Sequence, residues 1–371
     1  MVQKSSVKKT TENHSVSNST GRLILADGSE YCGFSFGSRL AAAGEVVFNT
    51  GMVGYPESLT DPSYFGQILA LTYPLIGNYG IPSDSHINKL KQHFESNRIQ
   101  VTGLIVQDYS FDHSHWNSVK SLAQWLYEFK VPALGGIDIR ALTKKLREQG
   151  TMLGKIEFNS DQIDFYDPDN KNLVEKVSIT QPILYGTGNQ RIALLDCGCK
   201  HNIIWSLLKR GVQVLRVPWD YDLRQETYDG LVISNGPGNP KMCRQVIIQI
   251  RQTIGRNIPI LGICLGHQLL ALAAGANTYK LKYGHRSQNQ PVREVDSNRC
   301  LITSQNHGFA VNNATLPDDW LPWFINLNDQ TSEGIRHVSG RFRSVQFHPE
   351  ATPGPVDAGY LFDDFLKLVR Q

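Results

Sequence analysis

The stretch 258-IPILGICLGHQLLALAAG-275 decides how this chain is to be read. Ile258, Ile260, Leu261 and Ile263 make an apolar run of strand length, after which Leu265, Leu269, Leu272 and Ala273 recur at helical spacing. A strand therefore feeds straight into a helix, with Cys264 at the junction. Gly262 and Gly266 flank the cysteine and permit the sharp turn that the junction needs. A thiol placed there stands at a helix N-terminus, where aligned backbone dipoles favour negative charge and lower its pKa. Free cysteines are also common as small core residues. Position alone leaves nucleophile and core residue as equal readings.

The same alternation extends on the N-terminal side of this unit. RIALLDC (191–197), VQVLRVP (212–218) and DGLVIS (229–234) read as strands. Between and after them, 202–210 reads as a helix burying Ile203, Ile204, Leu207 and Leu208, and 241–254 as another. Strands and helices in alternation imply a largely parallel sheet covered on both faces, whose chemistry sits at the carboxyl ends of the strands. One such end carries 234-SNGPGNP-240, where the N–H groups of Gly236 and Gly238 can face an anion. A lone GPG is more often a plain turn.

Another carries 342-FRSVQFHPEATPGP-355, a strand broken by His348-Pro349-Glu350. A thiol nucleophile needs a base near neutral pH, and imidazole needs a carboxylate on its second nitrogen to fix the tautomer. Pro349 stiffens the turn so that Glu350 can bend back onto His348. Any one of these residues is weak by itself; Cys264, His348 and Glu350 together are not.

From Gly21 to Val177 the pattern differs, mixing short β-rich runs with a few helices. GEVVFNT (44–50) and QILALTYP (67–74) read as strands. Asp138 to Gln149 reads as a capped helix with Ile139, Leu142 and Leu146 on one face, ended by Gly150. SITQPILYGTGNQ (178–190) has turn residues and no periodicity, and reads as the linker between two domains. Residues 1–20 are polar, rich in Ser and Thr and without an apolar core region, as in a disordered tail rather than a secretory signal.

The bulk numbers agree with an ordinary globular protein. The 371 residues allow two domains, 40% are hydrophobic and 19% charged, and a net charge of +3 is too small to point to nucleic acid or an anionic membrane. No apolar run approaches the ~20 residues of a membrane-spanning helix. The six cysteines, scattered as Cys32, Cys197, Cys199, Cys243, Cys264 and Cys300, suit a reducing cytoplasm. Cys197-Gly-Cys199 and His113-Ser-His115 lack a second pair at metal-binding spacing, so no metal site is expected.

SNGPG, GICLGHQ and FHPE, in this order and at these distances, resemble the class I (triad-type) glutamine amidotransferases. The resemblance implies that Cys264 attacks the side-chain amide of glutamine, giving a glutamyl thioester and ammonia. His348 would be the general acid–base, Glu350 its orienter, and the N–H groups of Gly238 and Leu265 the oxyanion hole. GEVVFNTGMVGYPESLTDPSYFGQILALTYPLIGNYG (44–80) resembles the N-terminal domain of the carbamoyl-phosphate synthetase small (glutamine-hydrolysing) chain family. GGIDIRALTKKLREQG (135–150), LGHQLLALAAGANTYKLKYGH (265–285), QNHGFAV (305–311) and HPEATPGP (348–355) extend that likeness from Gly21 to the C-terminus.

By this resemblance Ser63, Gly236, Gly238, Leu265, Gln268, Asn306, Gly308 and Phe309 contact the bound glutamine. Gln268 lies one helical turn beyond Cys264, and Asn306 with the backbone around Gly308 suits the α-amino and α-carboxylate groups. The chain departs from the family pattern at Asn239, where Asp is usual, at HRSQNQP (285–291), and at Cys199 and Trp205. None of these removes a catalytic group.

The fold expected is α/β. A class I amidotransferase domain (191–371), with a mostly parallel sheet covered by helices, follows a smaller β-rich α/β domain (21–177). The activity implied is hydrolysis of glutamine, with ammonia passed to a large ATP-dependent subunit that makes carbamoyl phosphate from bicarbonate and ATP. The chain carries no glycine-rich phosphate loop, so no cofactor is expected on it, and ATP and Mg belong on the large partner subunit. Neither nucleic acid nor membrane is an expected partner, and the expected location is cytoplasmic. A catalytically dead scaffold conflicts with the intact Cys264, His348 and Glu350. A cysteine peptidase, or an amidotransferase making GMP, anthranilate or aminodeoxychorismate, conflicts with residues 44–80.

Overall fold

The computed structural model describes residues 20–158 and 162–371. Of the tail read at residues 1–20, all but Thr20 lies outside the described residues. The N-terminal half is a closed barrel of seven strands: β1 (Thr20–Leu25), β2 (Glu30–Ser35), β3 (Ala42–Asn49), β4 (Gln67–Leu71), β5 (Gly103–Ile105), β6 (Ala133–Gly135) and β7 (Met152–Phe158). Around the barrel the order is β1-β7-β3-β4-β5-β6-β2, with β2 back against β1. The pairs β3–β4, β4–β5 and β5–β6 are parallel.

Successive side chains point to opposite faces of a strand, and here both faces are covered. Val46, Phe48, Ile68 and Ala70 pack with Leu142 and Leu146 of helix α1 (Ile139–Gln149). Val47, Leu69, Leu71 and Leu104 pack on the other side with Leu59, Trp125 and Leu126. This is why VVF (46–48) and ILAL (68–71) read as continuous apolar runs. Closure of the barrel was not foreseen. It depends on pairs such as Leu23 with Ile156, which no local pattern reveals.

The C-terminal half contains β8 (Ile183–Tyr185), β9 (Arg191–Asp196), α2 (His201–Leu208), β10 (Gln213–Pro218), β11 (Gly230–Ile233), α3 (Arg244–Gly255), β12 (Ile260–Ile263) and α4 (Leu265–Ala274). It continues with β13 (Asn277–Glu294), β14 (Cys300–Asn312), β15 (Trp320–Asn326), β16 (Ser332–His337), β17 (Phe342–Val345) and α5 (Tyr360–Val369). The ten strands form one sheet in the order β8-β10-β9-β11-β12-β17-β16-β15-β13-β14. Ala193, Leu195, Leu231 and Ile233 face Val246 and Ile250 of α3 and Leu269 of α4. Ile192, Leu194, Val232 and Leu261 face α2 and α5 through Ile203, Leu207, Phe362 and Phe365.

The expectation of a mostly parallel sheet needs correction. Only the five central strands, β10-β9-β11-β12-β17, run parallel. The flanking strands β8, β16, β15, β13 and β14 pair antiparallel. The short connections β13–β14, β15–β16 and β16–β17 cannot make the long crossover that a parallel neighbour demands, and so give hairpins. Residues 178–190, read as linker, include β8, an edge strand on β10.

The two halves are in contact. The Thr50 N–H donates to the Arg286 carbonyl at 3.1 Å. Gln288 Nε2 donates to the Val53 carbonyl at 2.7 Å, and Lys280 Nζ stands 2.7 Å from Glu45 Oε1.

Helix α1 starts where the sequence places it, because the Asp138 carboxylate accepts the N–H of Ala141 at 2.8 Å. Asp138→Ala leaves that N–H without its cap and is expected to lower the unfolding free energy by about 1 kcal/mol in urea titration, with the native circular-dichroism spectrum retained.

Candidate active site

Strand β12 ends at Ile263, and Cys264 follows with φ 54° and ψ −103°. A non-glycine residue holds such a conformation only where its surroundings over-determine it. Here the Cys264 N–H is fixed to the Val345 carbonyl of β17 at 2.9 Å. A Cβ on Gly262 would stand 2.6 Å from the Gly266 carbonyl oxygen, and one on Gly266 only 2.2 Å from that of Ile233. Both flanking glycines are thus demanded by backbone contact. The buried thiol lies 3.6 Å from the Asn306 carbonyl and 3.6 Å from Gln346 Nε2.

His348 and Glu350 follow the strand next to β12. His348 Nδ1 and Glu350 Oε1 are 2.6 Å apart, while His348 Nε2 has no hydrogen-bond partner among the described residues. Both residues are buried. Burial by itself lowers an imidazole's pKa, but the Glu350 charge outweighs it, and Cys264 adds to the effect; His348 is pushed up to about 10. Burial likewise raises a carboxyl, but the charges of Lys200 and then His348 bring Glu350 down to about 2. Lys200 Nζ lies 3.1 Å from Glu350 Oε1 and donates to the Ala351 carbonyl at 2.7 Å. The resting arrangement is an imidazolium held against the Glu350 carboxylate.

Cys264 opens onto a cleft, and all eight residues assigned to glutamine contact line it. Gly236 and Gly238 come from the turn after β11, and Leu265 and Gln268 from the first turn of α4. Asn306, Gly308 and Phe309 come from β14. Ser63 crosses from the barrel half, and its hydroxyl accepts from Asn235 Nδ2 at 2.9 Å. The N–H groups of Gly238 and Leu265 have no acceptor among the described residues, as an oxyanion hole requires. Gln268 is pinned by bonds from Nε2 to the Phe309 carbonyl at 2.9 Å and to Gln346 Oε1 at 3.0 Å. The Asn306 amide donates to Asp61 Oδ2 at 2.9 Å.

Reading by motif missed Asp61, Lys200, Asn235, Arg286 and Gln346. Asn235 lies inside SNGPG, and Lys200 stands just beyond the carboxyl end of β9, where the only signal was a lysine amid buried residues. Arg286 lines the cleft with Nε buried and without a partner among the described residues, suited to a carboxylate.

The Cys197, Cys199 and Cys243 thiols are buried, and burial raises the pKa of each, that of Cys243 to about 12. Behind the cleft, His285, His307 and Glu333 bring potential metal-ligating atoms within 4.8 Å of one another. Gln305 Oε1 already sits between the imidazoles, 3.0 Å from His285 Nδ1 and 3.1 Å from His307 Nε2. Burial lowers a histidine's pKa, but Asp329 and Glu333 outweigh it at His285, which is pushed up to about 9. The group is a hydrogen-bonded ion cluster backing the pocket wall.

Two outcomes are expected. A diazo-ketone analogue of glutamine should alkylate Cys264 and spare the other five cysteines, read by peptide mapping. The second concerns pH. The Glu350 contribution to stability is present above the ordinary carboxyl pKa of 4.5 and is lost as pH falls toward about 2. The His348 contribution is full below 6.5 and is lost as pH rises toward about 10. His348→Asn should therefore flatten the decline in Tm between pH 6.5 and 10.

Residues 193–368 match the family model "Glutamine amidotransferase class-I", and residues 23–156 match "Carbamoyl-phosphate synthase small chain, CPSase domain". Over 362 residues the chain is 49% identical to the protein named carbamoyl-phosphate synthase [ammonia], mitochondrial, from Homo sapiens, covering 96% of this chain and 24% of that protein. It is 52% identical over 355 residues to multifunctional protein CAD from Squalus acanthias, covering 94% of this chain and 16% of that one. The chain thus spans about a quarter, or less, of the length of these curated relatives. A solved glutamine amidotransferase from Thermotoga maritima is 21% identical with a TM-score of 0.36, over 44% of this chain and 77% of that one.

Proposed function

The chain belongs, half by half, to the carbamoyl-phosphate synthase small-chain and class I glutamine amidotransferase families, and on that premise we propose that it is the glutaminase of a carbamoyl-phosphate synthetase. The observation that carries this reading is Cys264, held at φ 54° on a strand–helix turn and open to the same cleft as the unpaired N–H groups of Gly238 and Leu265.

In this reading the thiolate of Cys264 attacks the side-chain amide carbon of glutamine. The oxyanion that forms is held by the N–H groups of Gly238 and Leu265. The C–N bond then breaks as the His348 imidazolium gives its proton to the leaving nitrogen, releasing ammonia and leaving a glutamyl thioester. Neutral His348 next takes a proton from water, whose oxygen attacks the thioester. The C–S bond breaks, glutamate leaves, and the thiolate–imidazolium pair is restored. Glu350 keeps the imidazole oriented and stabilises its charge throughout.

The ammonia would pass to a large synthetase subunit, or to a synthetase region of a longer chain, that carries ATP and Mg. No cofactor is assigned to this chain. A sealed route suits the chemistry, because ammonia released to water at neutral pH is protonated and loses its nucleophilicity. The cavities favour such a route. One, lined by His348, Lys200 and Glu57, shares Glu57 and Pro353 with a larger cleft bordered by Val53, Tyr79 and His93 on the barrel half. Residues 21–177 and 191–371 are assigned as the two domains, and the location is assigned to the cytoplasm. No helix among the described residues is long and apolar enough to cross a membrane. The human relative is named for ammonia, whereas an intact thiol–imidazole–carboxylate set here favours glutamine as the nitrogen source.

Cys264→Ser should abolish carbamoyl phosphate synthesis from glutamine by the complex with its synthetase while leaving synthesis from high ammonium intact. With glutamine carrying heavy nitrogen in its side chain and little ordinary ammonium in the medium, the product should be almost wholly heavy. Rapid glutamine hydrolysis without the synthetase, with full isotopic dilution, would make this a free-standing amidohydrolase.

A further inference from the structure

Helix α2 begins without a cap of its own. Its N-cap residue is Lys200, and no side chain of that residue accepts a hydrogen bond from the helix. The N–H groups of a buried helix start must nevertheless find acceptors. They find them on Glu95, from the barrel half. The Glu95 carbonyl accepts the His201 N–H at 2.9 Å. Its carboxylate accepts the Asn202 N–H on Oε2 at 3.3 Å and the Asn202 amide on Oε1 at 2.5 Å. Glu95 is in turn held from behind, its own N–H donating to Thr60 Oγ1 at 3.0 Å. A carboxylate at a helix N-terminus is favoured by the helix dipole as well as by the bonds it accepts.

The contacts continue from the start of α2 to the catalytic imidazole. The backbone of Lys200 is tied by its N–H to Asn235 Oδ1 at 3.0 Å, and its ammonium reaches Glu350 Oε1 at 3.1 Å. Glu350 holds His348 at 2.6 Å. Lys200 and Glu95 are both buried, and burial raises the Glu95 carboxyl to about 7 even against the charge of Lys200. The ammonium is paired with Glu350 at 3.1 Å, and the charge of Glu95 also favours it.

We propose that Glu95 is a positioning residue of the active site: by capping α2 from the barrel half it sets Lys200 against Glu350, and so fixes the orientation of His348. The inference rests on the reading that Cys264, His348 and Glu350 hydrolyse glutamine. Glu95 bonds to none of the residues lining the cleft, so its effect falls on turnover and not on glutamine binding.

The test uses the full chain with Glu95→Gln, which replaces one carboxylate oxygen by an amide nitrogen facing N–H donors. Expected are a fall of about tenfold in kcat with glutamine KM within about twofold of the parent, and no further loss when Glu95→Gln is added to Lys200→Met. Asn202→Ala, which removes the other side of the contact, should give the same split. An activity-independent reading comes from the downfield proton of the His348–Glu350 bond, identified by its loss in His348→Asn. That resonance should move in Glu95→Gln. Unchanged kcat with an unmoved resonance, KM rising in step with the fall in kcat, or fully additive losses with Lys200→Met would overturn the proposal. A parent chain that hydrolyses no glutamine would refute the functional reading instead, and the resonance would still decide the role of Glu95.

Discussion

Everything in the C-terminal half is arranged around the contact between Gly266 and the carbonyl of Ile233. Helix α4 lies so close to β11 that a single Cβ at this point would intrude to 2.2 Å. That closeness places the first turn of α4 beside the turn after β11. It thereby brings the N–H groups of Gly238 and Leu265 into the same cleft as the thiol. The price is the strained backbone of Cys264, met by a hydrogen bond to Val345 and by packing of Leu265, Leu269 and Leu270 in the core. Because Val345 belongs to the strand that leads to His348, the same bond ties the Cys264 turn to the strand carrying the imidazole.

A second constraint is electrostatic. Lys200, Glu350, His348 and Glu95 are all buried, and removing such groups from water costs more than their attraction returns unless each finds partners. Lys200 and His348 both reach Glu350, while Glu95 crosses from the barrel half to Asn202, and Asp61 and Ser63 cross likewise to Asn235 and Asn306. The barrel is therefore part of the active site. It supplies Ser63 to the cleft, Asp61 to the Asn306 amide and Glu95 to the start of α2. On the proposed reading, a shift of one half against the other would reach the imidazole through these bonds, a physical basis for coupling the chemistry to whatever binds the barrel.

Local pattern was enough for what depends on local chemistry. The turn at Cys264, the cap at Asp138, the strands RIALLDC and DGLVIS, and the turn before Glu350 each follow from residue types within a few positions of one another. Three motifs at the carboxyl ends of neighbouring strands located Cys264, His348 and Glu350, because a parallel β–α rhythm leaves those ends on one edge of the sheet. Tertiary structure decided the rest. Barrel closure rests on partners such as Leu23 and Ile156, and the antiparallel flank of the sheet on connections too short for crossovers. Lys200, Asp61 and Glu95 carry no motif. Each is an ordinary polar residue in the sequence and becomes part of the site only because folding buries it against charges from distant segments, where desolvation leaves it no alternative partner.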